Sequence, residues 1–182
     1  MTTDETTVKH PATYSPQILT TIRGVLEQYL PILDERASAI LDPFAGIGTI
    51  HQLDWPWANT YAIELEPEWA HISADYGPTW CGDWLKYRAP SAIAWPLLFD
   101  AVVTSPCYGN RMADHHNAKD TSTRRTYRHV LGRELTPGNS GGMQWGPEYR
   151  HFHNLAWAKV RRTLPGGGLF VLNIKNHVRK GK

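Results

Sequence analysis

The sequence predicts an α/β fold built on a doubly wound, mostly parallel sheet, and three observations predict it. Short apolar runs at strand length alternate with longer amphipathic stretches along the chain. "LLFDAVVTSP" carries β-branched valines between turn residues, the pattern of a strand buried on both faces. Acidic residues close successive strand-like runs, at the sheet ends where open parallel folds bind ligands.

Composition sets the bounds. A length of 182 residues suits one domain with a real core, and 41% hydrophobic residues exclude global disorder. No apolar run approaches the roughly 20 residues that cross a bilayer, so no membrane partner is expected. The polar start "MTTDETTVKH" is not a signal peptide, and two cysteines make no disulfide framework. The expected location is the reducing cytoplasm. Net charge is only +2, but Arg111, Lys119, Arg124, Arg125, Arg128 and Arg133 face few acids in one stretch. Such local excess suits a phosphate backbone, with a solvated loop as the competing reading.

In chain order, "SPQILTTIRGVLEQYLPIL" from Ser15 has apolar residues at helical spacing: Ile18, Ile22, Val25, Leu26 and Tyr29. Ser15 followed by Pro16 is a good helix start. "SAILDPFAGIGT" reads as a strand ending at Asp42, a glycine turn and a helix start. "TYAIELEPEWAHISADY" reads as a strand ending near Glu64 and a helix from about Pro67, and "TWCGD" as a third short strand. "GPEYRHFHNLAWAKVRRTL" is an amphipathic helix stopped by "PGGG", and "GLFVLNIK" is the last strand. The stretch from Gly109 to Pro147 has weak periodicity. The domain reading is therefore one catalytic domain over residues 1–182, with 109–147 a long loop insertion.

Gly46 and Gly48 stand where the backbone must turn tightly and let a ligand approach. No third glycine completes a dinucleotide fingerprint, and no Gly-Lys-Ser/Thr completes a phosphate loop. Asp42 ends the first strand and could face a cationic group. Glu64 ends the second and could accept two ribose hydroxyls. Asp83 follows the third and could accept an adenine amine. Each alone is as well explained as a cap or a turn residue. Three in succession fit an adenosine with a cationic tail.

"LDPFAGIGT", "AIELEPEWA", "GDWLKY", "TSPCYGNRM" and "LPGGGLFVLNIKNHVRKGK" resemble, in order, the motifs of S-adenosylmethionine-dependent amino-methyltransferases. The likeness is to DNA methylases of cytosine N4 or adenine N6, and it runs from about Tyr14 to the end. It implies the Rossmann-like class I methyltransferase fold and S-adenosylmethionine as cofactor. It implies that Asp42, Phe44, Gly46, Gly48 and Thr49 surround the methionine moiety, that Glu64 and the adjoining Leu65 hold the ribose, and that Asp83 holds the adenine. "KHPATYSPQIL" resembles the segment closing over the methionine carboxylate, with Tyr14 and Ser15 in contact. The family continues into two more strands, so the last strand is expected at an exposed sheet edge, through which copies could pair.

The same resemblance gives Ser105, Pro106 and Tyr108 the catalytic roles. An exocyclic amine is a poor nucleophile because its lone pair is delocalised into the ring. The Ser105 hydroxyl and Pro106 carbonyl suit acceptors for both amine hydrogens, and Tyr108 suits stacking on a flipped base. The family pattern has a second proline where this chain has Cys107. Nucleic acid, favoured as DNA, is the expected partner, met by Asn110, Arg111, Lys119, Arg124, Arg125 and Arg128. Serine at 105 leans toward cytosine. Three alternatives stay open: an RNA amino-methyltransferase, cytosine C5 methylation through Cys107, and a binding module without turnover. Tyr108 where C5 enzymes carry glutamine opposes the second. Nine histidines, among them His115, His116, His151 and His153, fall at no metal-ligand spacing, so no metal is expected. Trp69 and Trp157 read as core. Trp84 could flank an adenine and Trp145 could stack on a base.

Overall fold

The computed structural model describes residues 13–30, 36–88, 96–107 and 127–174. Its elements are α1 (Pro16–Tyr29), β1 (Ser38–Asp42), β2 (Ala58–Glu64), α2 (Pro67–Ala74), β3 (Thr79–Cys81), β4 (Ala101–Thr104), α3 (Tyr127–Leu131), α4 (Pro147–Thr163) and β5 (Leu169–Leu172), with 3-10 turns at Thr49–Gln52 and Ser140–Gly142. The strands form one sheet in the order β3-β2-β1-β4-β5. All its pairings are parallel. Rossmann-like doubly wound topology is thus both expected and observed. The direction of winding reverses between β1 and β4, which opens a crevice beyond their carboxyl ends.

Alternation along the strands divides the core into two layers. Ile40, Ala62, Ala101 and Val103 face one layer with Ile22, Leu26 and Leu30 around α1. Ala39, Leu41, Ile63 and Val102 face the other with Ala156 and Val160 of α4 and Leu164 just after it. Every residue of β1 and β4 is buried, as central strands covered on both faces require. At the opposite end from the crevice, Arg36 bonds both oxygens of Asp100, and Asp100 accepts the Ala39 N–H at 2.8 Å. This fixes β1 against β4 where the strands enter the sheet.

Local chemistry explains the element ends. The Ser15 hydroxyl accepts the Ile18 N–H and Pro16 opens the first turn of α1. Three expectations need correction. The α1 stripe closes on Leu30 and leaves Tyr29 60% exposed, because the chain turns out of the helix after Tyr29. The helix start after "GIG" is only the 3-10 turn at Thr49–Gln52. Residues 127–147 are not one loop: they carry α3 and a 3-10 turn, held down by the buried carboxylate of Glu66 described below. β5 lies at the edge of the sheet among the described residues. No helix there is long and apolar enough to cross a membrane.

Candidate active site

A cleft at the β1/β4 switch point is lined by Tyr14, Asp42, Phe44, Gly46, Thr49, Glu64, Leu65, Asp83, Ser105 and Pro106. It encloses about 910 Å³ with its open mouth and the adjoining solvent included. Ten residues singled out in the sequence therefore meet in one place, although they span positions 14 to 106.

Asp42 sits 1% exposed at the end of β1. Its Oδ1 accepts the Thr104 hydroxyl at 2.7 Å and the Phe44 N–H at 3.0 Å, and its Oδ2 accepts the Tyr14 hydroxyl at 3.1 Å. One carboxylate thus ties the end of β4, the turn after β1 and the chain before α1 together. Burial is the largest influence on it and raises its pKa from 3.8 to about 6, against the three donors. Glu64 is equally enclosed. Its Oε2 accepts the Gly46 N–H at 2.7 Å and its Oε1 the Glu66 N–H at 2.8 Å. Burial lifts its pKa from 4.5 to about 7. The Leu65 N–H also favours the ionised form. Gly46 takes φ +56° at this turn, a conformation that glycine adopts without steric cost.

Gly48 and Ser15 fall outside the cleft lining. Gly48 takes φ +77°, and a Cβ there would collide with Ser73 of α2. Close packing of the turn on α2 explains this glycine. Ser15 is occupied as the α1 cap. Asp83 keeps its turn role as well, accepting the Leu85 N–H at 2.9 Å, with Lys86 at 3.4 Å. Trp84 lines the cleft but is 2% exposed and donates Nε1–H to the Ala156 carbonyl at 3.3 Å. Lys159 of α4 anchors the same turn, bonding the carbonyls of Trp84, Leu85 and Tyr87.

Ser105, Pro106 and Cys107 leave the end of β4 along the cleft wall. Asn173, just beyond β5, donates to Ser105 Oγ at 3.4 Å. Tyr149 donates its hydroxyl to the Cys107 carbonyl at 2.6 Å, and Cys107 Sγ donates to the Tyr127 hydroxyl oxygen at 3.4 Å. The thiol is enclosed, although part of the residue is exposed, and burial pushes its pKa from 9.0 to about 12. Tyr108, Asn110, Arg111, Lys119, Arg124 and Arg125 lie outside the described residues, as do His115 and His116.

Sequence reasoning missed the far wall: Trp69, Tyr127, Gly138, Asn139, Ser140 and Phe152 also line the cleft. The cause is Glu66, which has no exposed surface. Its Oε1 accepts the Thr136 N–H at 3.0 Å and Asn139 Nδ2 at 2.6 Å, and its Oε2 accepts the Thr136 hydroxyl and Arg133, each at 2.8 Å. Arg133 also bonds Glu68. This corrects the reading of Arg133 as part of a free basic stretch. Arg128, expected on nucleic acid, pairs with Glu134 here. A second acid two residues after the ribose candidate was the available signal. No group of three metal-ligand side chains occurs among the described residues.

No protein-family model matches the sequence, and no curated protein matches it. Solved structures similar to it include Streptomyces venezuelae DesVI, at 17% identity over 85% of this chain and 48% of that one, TM-score 0.48. The sugar N-methyltransferase KedS8 from Streptoalloteichus sp ATCC 53650 is 17% identical over 85% of this chain and 46% of that one, TM-score 0.49. A type I restriction-modification system methyltransferase subunit from Streptococcus thermophilus is 16% identical over 87% of this chain and 34% of that one, TM-score 0.48. The chain spans less than half the length of each of these three.

Proposed function

We propose that this chain transfers a methyl group from S-adenosylmethionine to an exocyclic amine of a nucleic-acid base, in DNA and on cytosine N4 before adenine N6. The observation that carries the reading is the shared cleft: carboxylates from the ends of three neighbouring strands line it together with Ser105 and Pro106.

The residues present fit the cofactor. Glu64 offers a carboxylate at the cleft wall to a pair of ribose hydroxyls, Leu65 adjoins it, and half-buried Asp83 is an acceptor for an amine. Tyr14, Asp42, Phe44 and Thr49 border the remaining, sulfur-bearing part. When bound, S-adenosylmethionine supplies an electrophilic methyl group. The chain's own residues then have to make the amine nucleophilic. Ser105 Oγ and the Pro106 carbonyl accept its two hydrogens, which favours a pyramidal nitrogen with a free lone pair. Ser105 Oγ, which accepts from Asn173 at 3.4 Å, stands on the cleft wall for this. No strong base is needed, and positioning with electrostatics supplies the acceleration. Tyr108 would stack on the base. The enclosed thiol of Cys107, spent on Tyr127 and held far from ionisation at neutral pH, argues against a covalent C5 route, because the thiolate is the nucleophile.

The test is mass spectrometry of nucleosides from DNA and RNA treated with the protein and isotopically labelled cofactor. N4-methylcytosine or N6-methyladenine in DNA is the expected product. Label in RNA alone would move the substrate class, label on cytosine C5 would overturn the amine reading, and cofactor binding without label in either polymer would leave a binding module.

A further inference from the structure

The residue after Pro106 is cysteine, so the Pro106 ring fixes its own φ but no following ring restrains its ψ. The segment nevertheless has to aim the Pro106 carbonyl if it is to act as an acceptor. Two tyrosines from distant parts of the chain grip Cys107 instead. From α4, Tyr149 Oη–H reaches its carbonyl oxygen at 2.6 Å, and from α3, Tyr127 Oη takes its Sγ–H at 3.4 Å. Both tyrosines are themselves fixed. Tyr149 is 6% exposed; His153, one turn on, donates Nδ1–H to its carbonyl at 3.0 Å, and their rings lie 4.1 Å apart. Tyr127 packs edge-on to Trp69 with centroids 5.0 Å apart.

We propose that Tyr149 is a positioning residue, assisted by Tyr127, that pins Cys107 and thereby sets the direction of the neighbouring Pro106 carbonyl. The role follows from where the contacts fall. Binding the Cys107 carbonyl fixes the peptide plane after Cys107, and binding its sulfur fixes the side chain. With both ends of the residue held, the peptide joining Pro106 to Cys107 loses its freedom to rotate. The inference deepens the amine-methylation reading and rests on it for its kinetic consequence. The pin itself does not depend on that reading.

The experiment has two arms. In a Cys81→Ser background, which leaves Cys107 as the single thiol, Tyr149→Phe is treated with iodoacetamide without cofactor and alkylation is followed by mass. Losing the pin should speed alkylation of Cys107 about tenfold, the size of one net hydrogen bond. An unchanged rate overturns the proposal. In the kinetic arm, Tyr149→Phe should lower the turnover number for amine methylation about tenfold and leave cofactor affinity within about twofold. Adding Cys107→Pro to Tyr149→Phe should restore turnover, because the ring supplies the lost restraint. A loss that Cys107→Pro does not restore overturns the positioning role. If the parent protein methylates no base amine, the proposed function fails and the alkylation arm still decides the pin.

Discussion

Replacing Glu64 by glutamine keeps the shape of the side chain and removes its charge. Both carboxylate oxygens of Glu64 already serve backbone N–H groups, from Gly46 at 2.7 Å and Glu66 at 2.8 Å. An amide can accept from one of these and turns its NH₂ toward the other. The variant therefore loses the acceptor for ribose and misplaces the turn that shapes the cleft. A hydrogen bond to a charged group contributes about 1.5–3 kcal/mol, so S-adenosylmethionine affinity at pH 8 should fall about 10–150-fold. Acid should imitate the mutation. Burial raises Glu64 to about 7 in the free protein, and hydroxyl donors favour its ionised form. The parent should bind more weakly as pH falls below about 7, while Glu64→Gln stays level until Asp42 takes up its proton near pH 6. The same burial acts on stability in a direction unusual for a carboxylate. The folded pKa lies above the ordinary 4.5, so the unfolded chain gives up its proton first as pH rises. The stabilising contribution is complete below pH 4.5 and is lost as pH passes about 7, a change of about 3 kcal/mol. Asp42, raised from 3.8 to about 6, adds a loss of the same sign at lower pH. Calorimetric titrations from pH 5.5 to about 8.5, with urea unfolding of the cofactor-free protein over the same range, read both effects. Parallel pH profiles for parent and variant, or parental affinity in the variant at pH 8, would refute the reasoning.

Glu66→Ala should cost about 3 kcal/mol or more in urea unfolding, because it strips Thr136, Asn139 and Arg133 of a buried charged acceptor; a loss under about 1 kcal/mol would show that the far wall is held by other contacts. Ser105→Ala should slow methyl transfer more than it weakens cofactor binding, since its acceptor matters most as the amine loses planarity; equal losses in steady-state and binding measurements would contradict the clamp. Cys107→Ser should keep turnover within about tenfold, whereas a covalent nucleophile would lose it entirely, and a fluorinated cytosine should trap no adduct at this residue. With iodoacetamide at neutral pH, exposed Cys81 should be modified before enclosed Cys107, and the reverse order by peptide mass would refute the burial of that thiol.

The sheet was legible in the sequence because its signals are local. Ser15-Pro16 starts α1, a short apolar run marks β1, β-branched valines mark β4, and "PGGG" stops the last helix before β5. The gathering of the three carboxylates was legible for a related reason. In a parallel sheet the carboxyl ends of the strands lie on one side, so Asp42, Glu64 and Asp83 had to assemble once their strands did. What the sequence by itself could not fix was the work each acid performs. Asp42 spends itself on Tyr14, Thr104 and Phe44, and Glu64 on the Gly46 and Glu66 amides, and the Tyr14, Thr104 and Gly46 pairings span 18 to 62 residues of chain. The far wall was beyond reach for the same reason. Residues 133–140 have no period of their own, and they take their place because a buried carboxylate 70 residues away supplies the partners their polar groups need. Tyr149 looked like an ordinary position on a helix face. Only the packing of α4 beside the end of β4 brings its hydroxyl to the Cys107 carbonyl, because a contact between elements is set by how they dock and not by either sequence alone.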